Sequence, residues 1–335
     1  MKKVLITGAS GFIGSFLVEE ALKRGYEVYA GIRSSSSRQY LQDSRIKFIS
    51  LDFKNKGNLI KTLEEFNKEH NGSFDYIIHC AGVTKANDIQ EFYDINYEYT
   101  KNFVEALMET KSNVQKFIQL SSLASYGPGN AETLELINHS QIPHPVSGYG
   151  KSKLMTEEYL NTLKDFPYII FRPTTIYGPR EKELFTVFKM VNSGFEFYIG
   201  STPQHLSFIY IDDFVTLCFD ALESNIKQRS YFVCDGKTYL SSEFNNHIKK
   251  ALNKKTLKLT LPVSVVRGLA FTLEKTFGLF GKTPALNSER VREFECTNWT
   301  IYTEDLFQDF NFKPQYFLER GVKETADWYK KEKWL

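Results

Sequence analysis

A chain of 335 residues with 42% hydrophobic and 15% aromatic content can bury a large core, which excludes a disordered protein and leaves room for one big α/β unit with a smaller appendage. Its net charge of +2, with lysines scattered rather than gathered in a stripe, gives no reason to expect nucleic acid as a partner. Cys80, Cys218, Cys234 and Cys296 lie far apart with no metal-ligand spacing, so we expect reduced thiols, no metal site and a cytoplasmic protein.

The opening stretch, MKKVLITGASGFIG, turns a strand into a helix. Two lysines lead into the first strand, and the apolar run after them is too short for a secretory signal. Val4, Leu5 and Ile6 read as that buried strand, and Gly8, Gly11 and Gly14 follow at three-residue spacing. Without a Cβ, Gly8 can take the tight turn, Gly11 lets a pyrophosphate lie close to the backbone, and Gly14 lets the helix pack near its strand. Ser10, Phe12 and Ile13 share this corner and are expected cofactor contacts, with the helix N–H groups facing the phosphates. Ile13, Phe16, Leu17, Ala21 and Leu22 then fall on one helical face until Gly25 ends the run, and a second strand spans Tyr26 to Ile32.

At the end of that strand an acidic side chain would accept from the free 2′-OH of NAD. Here Ile32 and Arg33 are followed by four serines, a setting that suits a 2′-phosphate and points to NADP over NAD. A third strand, Lys47 to Leu51, ends in Asp52 and Phe53, a pair placed for the adenine edge. An amphipathic helix over Asn58 to Glu69 precedes the fourth strand, Phe74 to His79. The small residues Cys80, Ala81 and Gly82 then let the backbone approach the cofactor, and His79 reads as a packed histidine rather than a catalyst. A helix over Asn96 to Met108 leads to the fifth strand, Val114 to Leu120, closing on Ser121 and Ser122. Tyr149 to Leu163 is helical, and Tyr168 to Phe171 is the sixth strand, ending in Arg172 and Pro173.

Less regular alternation runs from Thr174 to about Ser207, then Phe208 to Glu223 reads as a strand entering a helix and Ser230 to Cys234 as one more strand. Beyond Asp235 come lysine-rich helices and the apolar Val263 to Phe280, which Arg267, Glu274 and Lys275 interrupt too often for a membrane span. We read that stretch as a helix of the substrate domain, with a hydrophobic substrate wall or a shallow membrane contact as alternatives. The expected fold is a doubly wound parallel sheet over 1–178, rejoined by 208–235, with 179–207 and 236–335 forming a smaller substrate-binding domain over the strand ends.

Tyr149 and Lys153 lie four apart on one helical face. A neighbouring ammonium favours phenolate and would lower the tyrosine from its usual ~10 towards neutrality, making it a proton shuttle for a carbinol oxygen. The lysine can also hold the nicotinamide ribose. A hydroxyl from Ser122 would hydrogen-bond the substrate oxygen as charge develops, although such a serine is also often only a helix cap.

The order of these motifs resembles the extended short-chain dehydrogenase/reductase family, the NAD(P)-dependent epimerase/dehydratase-like group with a Rossmann fold. The likeness rests on GASGFIG, on Leu51–Asp52, HCAG at 79–82, Asn96, SSLASYG at 121–127, YGKSK at 149–153, RPTTIYGPR at 172–180 and FIYIDDFV at 208–215. It covers residues 1 to about 235 well and the remainder loosely. The resemblance implies a catalytic trio of Ser122, Tyr149 and Lys153. It also implies cofactor contacts from Asn96, Ser121, Tyr149 and Lys153, with Pro173 and Thr175 beside the nicotinamide, and a homodimer through the helices after Asn96 and Tyr149.

Where sugar-nucleotide enzymes of this group commonly place a diphosphate-binding arginine, just before FIYIDDFV, this chain has Gln204, His205, Leu206 and Ser207, leaving Arg180, Arg290 or Arg292 as substitutes. The expected function is therefore NADP-dependent hydride transfer on a secondary alcohol or ketone of a small, hydrophobic substrate. The alternatives are a nucleotide-sugar epimerase or dehydratase that keeps its NAD(P) bound, and a non-catalytic NADP sensor.

Overall fold

The computed structural model describes residues 1–86, 88–278, 284 and 286–335. Its centre is a sheet of seven strands: β1 (Lys3–Thr7), β2 (Glu27–Gly31), β3 (Lys47–Ile49), β4 (Tyr76–His79), β5 (Lys116–Leu120), β6 (Tyr168–Pro173) and β7 (Arg229–Val233). They lie in the order β3-β2-β1-β4-β5-β6-β7, and each neighbouring pair is parallel.

Successive side chains on a strand point to opposite faces, so one apolar run feeds two cores. Val4 and Ile6 enter one core and Leu5 the other; Ile78 and Ile77, Ile118 and Phe117, and Ile169 and Ile170 divide in the same way. The first core is covered by the helices Phe12–Lys23 and Ile211–Glu223, the second by Lys56–Glu69 and Tyr99–Glu109. That two-sided burial is why these strands read as unbroken apolar stretches rather than alternating ones.

Strand order reverses between β1 and β4, and a crevice opens where the chain leaves their carboxyl ends in opposite directions. Gly25, at φ +77°, stops the first helix, and the Asn55 side chain accepts from Asn58 N–H (3.1 Å) to start the next.

The helix expected from Asn96 starts earlier, as an α turn at Ile89–Phe92 followed by a π-helical turn at Tyr93–Glu98, before Tyr99–Glu109 continues it. The cause is Asn96 itself. Its buried amide bonds the Val83 backbone in both directions, accepting from N–H (2.8 Å) and donating to C=O (3.0 Å), and it donates to Ser152 Oγ (3.0 Å). A widened turn brings that side chain across to the loop after β4.

After β6 the chain makes short pairings beside the sheet. Thr175–Tyr177 runs parallel to Phe208–Tyr210, and Phe195–Ile199 forms a two-stranded parallel ribbon with Leu257–Leu261. The apolar segment folds as a helix over Val263–Gly278, while Leu279 and Phe280 lie outside the described residues. Among the described residues no helix is long and apolar enough to cross a membrane.

Candidate active site

The glycine corner has the shape its spacing predicts. Gly8 sits at φ +65°, and a Cβ there would lie 2.9 Å from the Ala81 nitrogen, so β1 and the end of β4 touch through it. At Gly14 a Cβ would lie 2.3 Å from the Gly8 carbonyl oxygen, which fixes the close seating of helix on strand. Gly11 is exposed and caps the helix with no side-chain hydrogen bond, leaving first-turn N–H groups open beside Ser10, Phe12 and Ile13. This backbone cradle fits a dinucleotide pyrophosphate. Gly14→Ala should therefore push backbone against backbone; a lower melting temperature, with loss of the upward shift on adding the nicotinamide dinucleotide, is the expected result of a thermal melt.

The second wall is the loop after β4. Ala81 N–H donates to Thr7 Oγ1 (3.1 Å), and a Cβ on Gly82 would meet Asn96 Oδ1 at 2.8 Å and Lys153 Nζ at 3.5 Å. Burial pushes the Cys80 thiol up to about 12, so it stays protonated. His79 is held between Thr7 Oγ1 (2.8 Å) and Thr100 Oγ1 (3.0 Å), and burial pushes it down to about 3. It is a neutral packing residue. Phe53 stacks edge-on against His79 and Phe103, and exposed Asp52 accepts from Asn58 Nδ2 (2.8 Å). Arg33 is exposed, its backbone N–H donating to Ser36 Oγ (3.2 Å), and among the described residues its guanidinium makes no ion pair.

Between these walls and β5 stand the three chemical side chains. Tyr149 and Lys153 project from the helix Gly148–Asn161, which Ser147 caps by accepting from Gly150 N–H (3.0 Å). Ser122 does cap a short 3₁₀ turn at Leu123–Ser125, accepting from Ala124 N–H (3.2 Å), and its hydroxyl lies near enough to the Tyr149 phenol to favour the phenolate.

The electrostatics differ from the expectation. Lys153 Nζ donates to the Leu120 carbonyl (2.9 Å) and stands 5.9 Å from the centre of the Tyr149 ring. Burial dominates for both: it drives the phenol up to about 12, opposed by the Ser122 hydroxyl, and the ammonium down to about 8. In this state the lysine does not acidify the tyrosine. Spacing on a helix gives a shared face, but not the cost of taking each charge out of water.

Ser121 is turned away from this cluster. Its hydroxyl donates to the buried carboxylate of Glu157, which also accepts from Ser125 Oγ (2.7 Å) and from Arg172 (2.7 Å and 2.8 Å). The Arg172 guanidinium lies between the Tyr126 and Phe232 rings. This buried pair ties the helix Gly148–Asn161 to the end of β6, with Ser121 joining the end of β5 to it, and removing one partner of such a pair typically costs about 3–5 kcal/mol. Pro173 is buried at the end of β6, and Thr175 is exposed just beyond it. Glu157 was findable, since it continues the Tyr149 and Lys153 spacing by four.

The sequence pattern of the NAD dependent epimerase/dehydratase family matches residues 4–234, the part of the chain that supplies the whole sheet and the glycine corner. The chain belongs to that family. Among curated relatives, a decarboxylating sterol-4-alpha-carboxylate 3-dehydrogenase of Dictyostelium discoideum is 25% identical, covering 90% of this chain and 93% of its own. A UDP-glucose 4-epimerase of Vibrio cholerae is 26% identical, covering 97% and 94%. The solved UDP-glucose 4-epimerase of Thermotoga maritima superposes with a TM-score of 0.78 at 19% identity, over 98% of this chain and 99% of that one. This epimerase/dehydratase family member is thus an extended short-chain dehydrogenase/reductase enzyme that uses a nicotinamide dinucleotide.

A late element packs beside Tyr149. Glu289 and Glu293, on the helix Ser288–Phe294, reach back to Gly148 N–H and Ser147 Oγ (2.7 Å), beside Tyr149. No local pattern signals contacts across some 140 residues, and the sequence reading missed them. The substitute diphosphate clamps are also spoken for. Arg290 pairs with Glu183 and Glu293, Arg292 with Glu289, and Arg180 with Glu19 while lying between the Phe16 and Tyr40 rings.

Proposed function

We propose that this enzyme is an NADP-dependent oxidoreductase that transfers hydride between the nicotinamide and a secondary alcohol or ketone of a small, uncharged substrate. The observation that supports this reading is that Tyr149 lies beside the Ser122 hydroxyl and shares its helix with Lys153, whose Nζ reaches the loop at Gly82. When bound, the nicotinamide gives or takes the hydride. Tyr149, kept protonated at neutral pH by burial, gives its proton to the carbonyl oxygen during reduction. Ser122 donates a hydrogen bond to the same oxygen as it becomes negative. Lys153 holds ribose hydroxyls and faces the cofactor with its charge.

In this reading Gly8, Ser10, Gly11, Phe12, Ile13 and Gly14 hold the pyrophosphate, Asp52 and Phe53 the adenosine, Cys80, Ala81 and Gly82 the middle of the cofactor, and Pro173 and Thr175 border the nicotinamide. Asn96 and Ser121 are positioning residues, because their side chains are committed to Val83, Ser152 and Glu157.

The uncharged substrate follows from the arginines. Beside Tyr149 the pocket wall carries Asp88, Glu274, Glu289 and Glu293, and its one guanidinium, Arg290, is neutralised by carboxylates. A diphosphate would have to break those pairs and enter against like charge. The second reading, a nucleotide-sugar epimerase with retained NAD(P), is favoured by the near full-length likeness to the Vibrio cholerae enzyme. A homodimer through the Tyr99–Glu109 and Gly148–Asn161 helices and a cytoplasmic location complete the proposal, and sedimentation would report the dimer.

Cofactor choice has its own test. Unpaired and solvent-facing at the end of β2, Arg33 is available for a 2′-phosphate. Arg33→Asp should weaken NADP binding by roughly tenfold or more and improve NAD binding, read by fluorescence titration of both reduced cofactors. An unchanged NADP-to-NAD ratio would make Arg33 a solvated loop residue.

A further inference from the structure

Among the described residues, a group of exposed apolar side chains lies where the Phe195–Ile199/Leu257–Leu261 ribbon runs into the helix Val263–Gly278. On the ribbon, Phe195, Phe197 and Leu257 are 41%, 41% and 59% exposed; on the helix, Val265, Leu269 and Phe271 are 53%, 47% and 58% exposed. The register puts Phe195, Phe197 and Leu257 on the ribbon face whose far end, Ile199 and Leu261, packs against Val266 and Ala270 of the helix. Val266 and Ala270 are the helix's buried residues, so most of its circumference faces outward.

Charge distinguishes this face from an ordinary sticky patch. Between residues 249 and 275 the sequence carries six lysines and one arginine against a single carboxylate, Glu274. Glu274 turns inward, accepting from Ser288 N–H (2.7 Å) and Ser288 Oγ (2.7 Å), so it does not offset the cations outside. Lys249, Lys250 and Arg267 pair with Glu196, Glu319 and Glu295. Among the described residues Lys254, Lys255 and Lys275 have no acidic partner, and Lys275 lies over the Phe271 ring; Lys258 is also without one, but strand alternation turns it to the other ribbon face, over Tyr198. Scattered lysines over the whole chain thus become a local excess here.

We propose that this face docks on the surface of an anionic phospholipid bilayer, with the apolar side chains entering the headgroup–acyl boundary and the unpaired lysines meeting the headgroups. Exposed aromatics and leucines interleaved with free cations, on a helix too short and too charged to span, are the pattern of an interfacial contact. The helix that would lie on the membrane also supplies Glu274 to the pocket beside Tyr149, so the docked face adjoins that pocket. The docking itself does not depend on the proposed chemistry.

The test is co-sedimentation of the full chain with vesicles of phosphatidylcholine alone or mixed with phosphatidylglycerol, at low and high salt. The protein should pellet with the anionic vesicles at low salt and be released by high salt. Lys254→Gln with Lys255→Gln should weaken that partitioning roughly thirtyfold without changing the melting temperature. Leu269→Glu with Phe271→Glu, both at exposed positions, should abolish it. Failure of the native protein to pellet with anionic vesicles at low salt would overturn the proposal, as would pelleting indifferent to both variant pairs. So would a native dimer that the Leu269→Glu, Phe271→Glu variant converts to monomer, because the face would then belong to a second copy.

Discussion

Tyr149→Phe is expected to lower turnover by roughly 10²–10⁴-fold, the range for removing a positioned general acid, while leaving NADP affinity nearly unchanged. The ring stays, so packing beside Phe92, at 6.0 Å between ring centres, is kept and the helix Gly148–Asn161 is not disturbed. What is lost is the proton above the pocket. Because burial holds the phenol up near 12, the wild-type acid is in its reactive form throughout the neutral range. Ketone reduction should therefore be insensitive to deprotonation of this group until the alkaline limb. Ser122→Ala should move that limb upward, since the Ser122 hydroxyl is what lowers the phenol. Steady-state kinetics and cofactor fluorescence together read the effect, and full activity in the phenylalanine variant would remove Tyr149 from the chemistry.

Lys153→Met should separate function from stability. Burial pulls the ammonium from 10.5 to about 8, which corresponds to about 3 kcal/mol of desolvation that the folded protein bears whenever the lysine is charged. The hydrogen bond to the Leu120 carbonyl returns about 1 kcal/mol, so methionine of similar volume should stabilise the fold by about 2 kcal/mol at neutral pH. The sign with pH follows from the lowered value. Below about 8 the wild-type lysine is charged in both folded and unfolded chains and the full cost is present; between 8 and 10.5 the folded form is already neutral, and the cost fades. The advantage of methionine should shrink over that window in thermal melts, while turnover stays roughly 10²-fold below wild type below about pH 8, where the wild-type lysine is charged. A variant less stable than wild type at pH 7 would show that the buried ammonium is compensated by contacts beyond Leu120.

The features legible in the sequence were those fixed by local geometry. Gly8 and Gly14 declared a corner because only a missing Cβ tolerates the Ala81 and Gly8 backbones at these distances. The inner strands were readable as apolar runs because both faces are buried, and Tyr149 and Lys153 share a face by spacing alone. Features that depend on distant chain were not legible. Asn96 was expected to reach the cofactor, yet its amide is consumed by Val83 and Ser152 through a π turn that no periodicity announces. Ser121 was expected as a cofactor contact from the family resemblance, but its hydroxyl faces Glu157 on another element. Three arginines looked free until the fold set a carboxylate beside each. The direction of the Tyr149 shift failed for the same reason, because desolvation is a property of the packed interior.

Net transfer of hydride to an external ketone is the heart of this account, and it can be followed directly with NADPH deuterated at the transferable nicotinamide position. The purified enzyme, offered uncharged ketones alongside UDP-glucose, should move one deuterium to the carbinol carbon of a ketone for each NADPH oxidised, as read by mass spectrometry. Epimerisation of UDP-glucose by a tightly retained dinucleotide, with no deuterium in any ketone and no NADPH consumed, would contradict it.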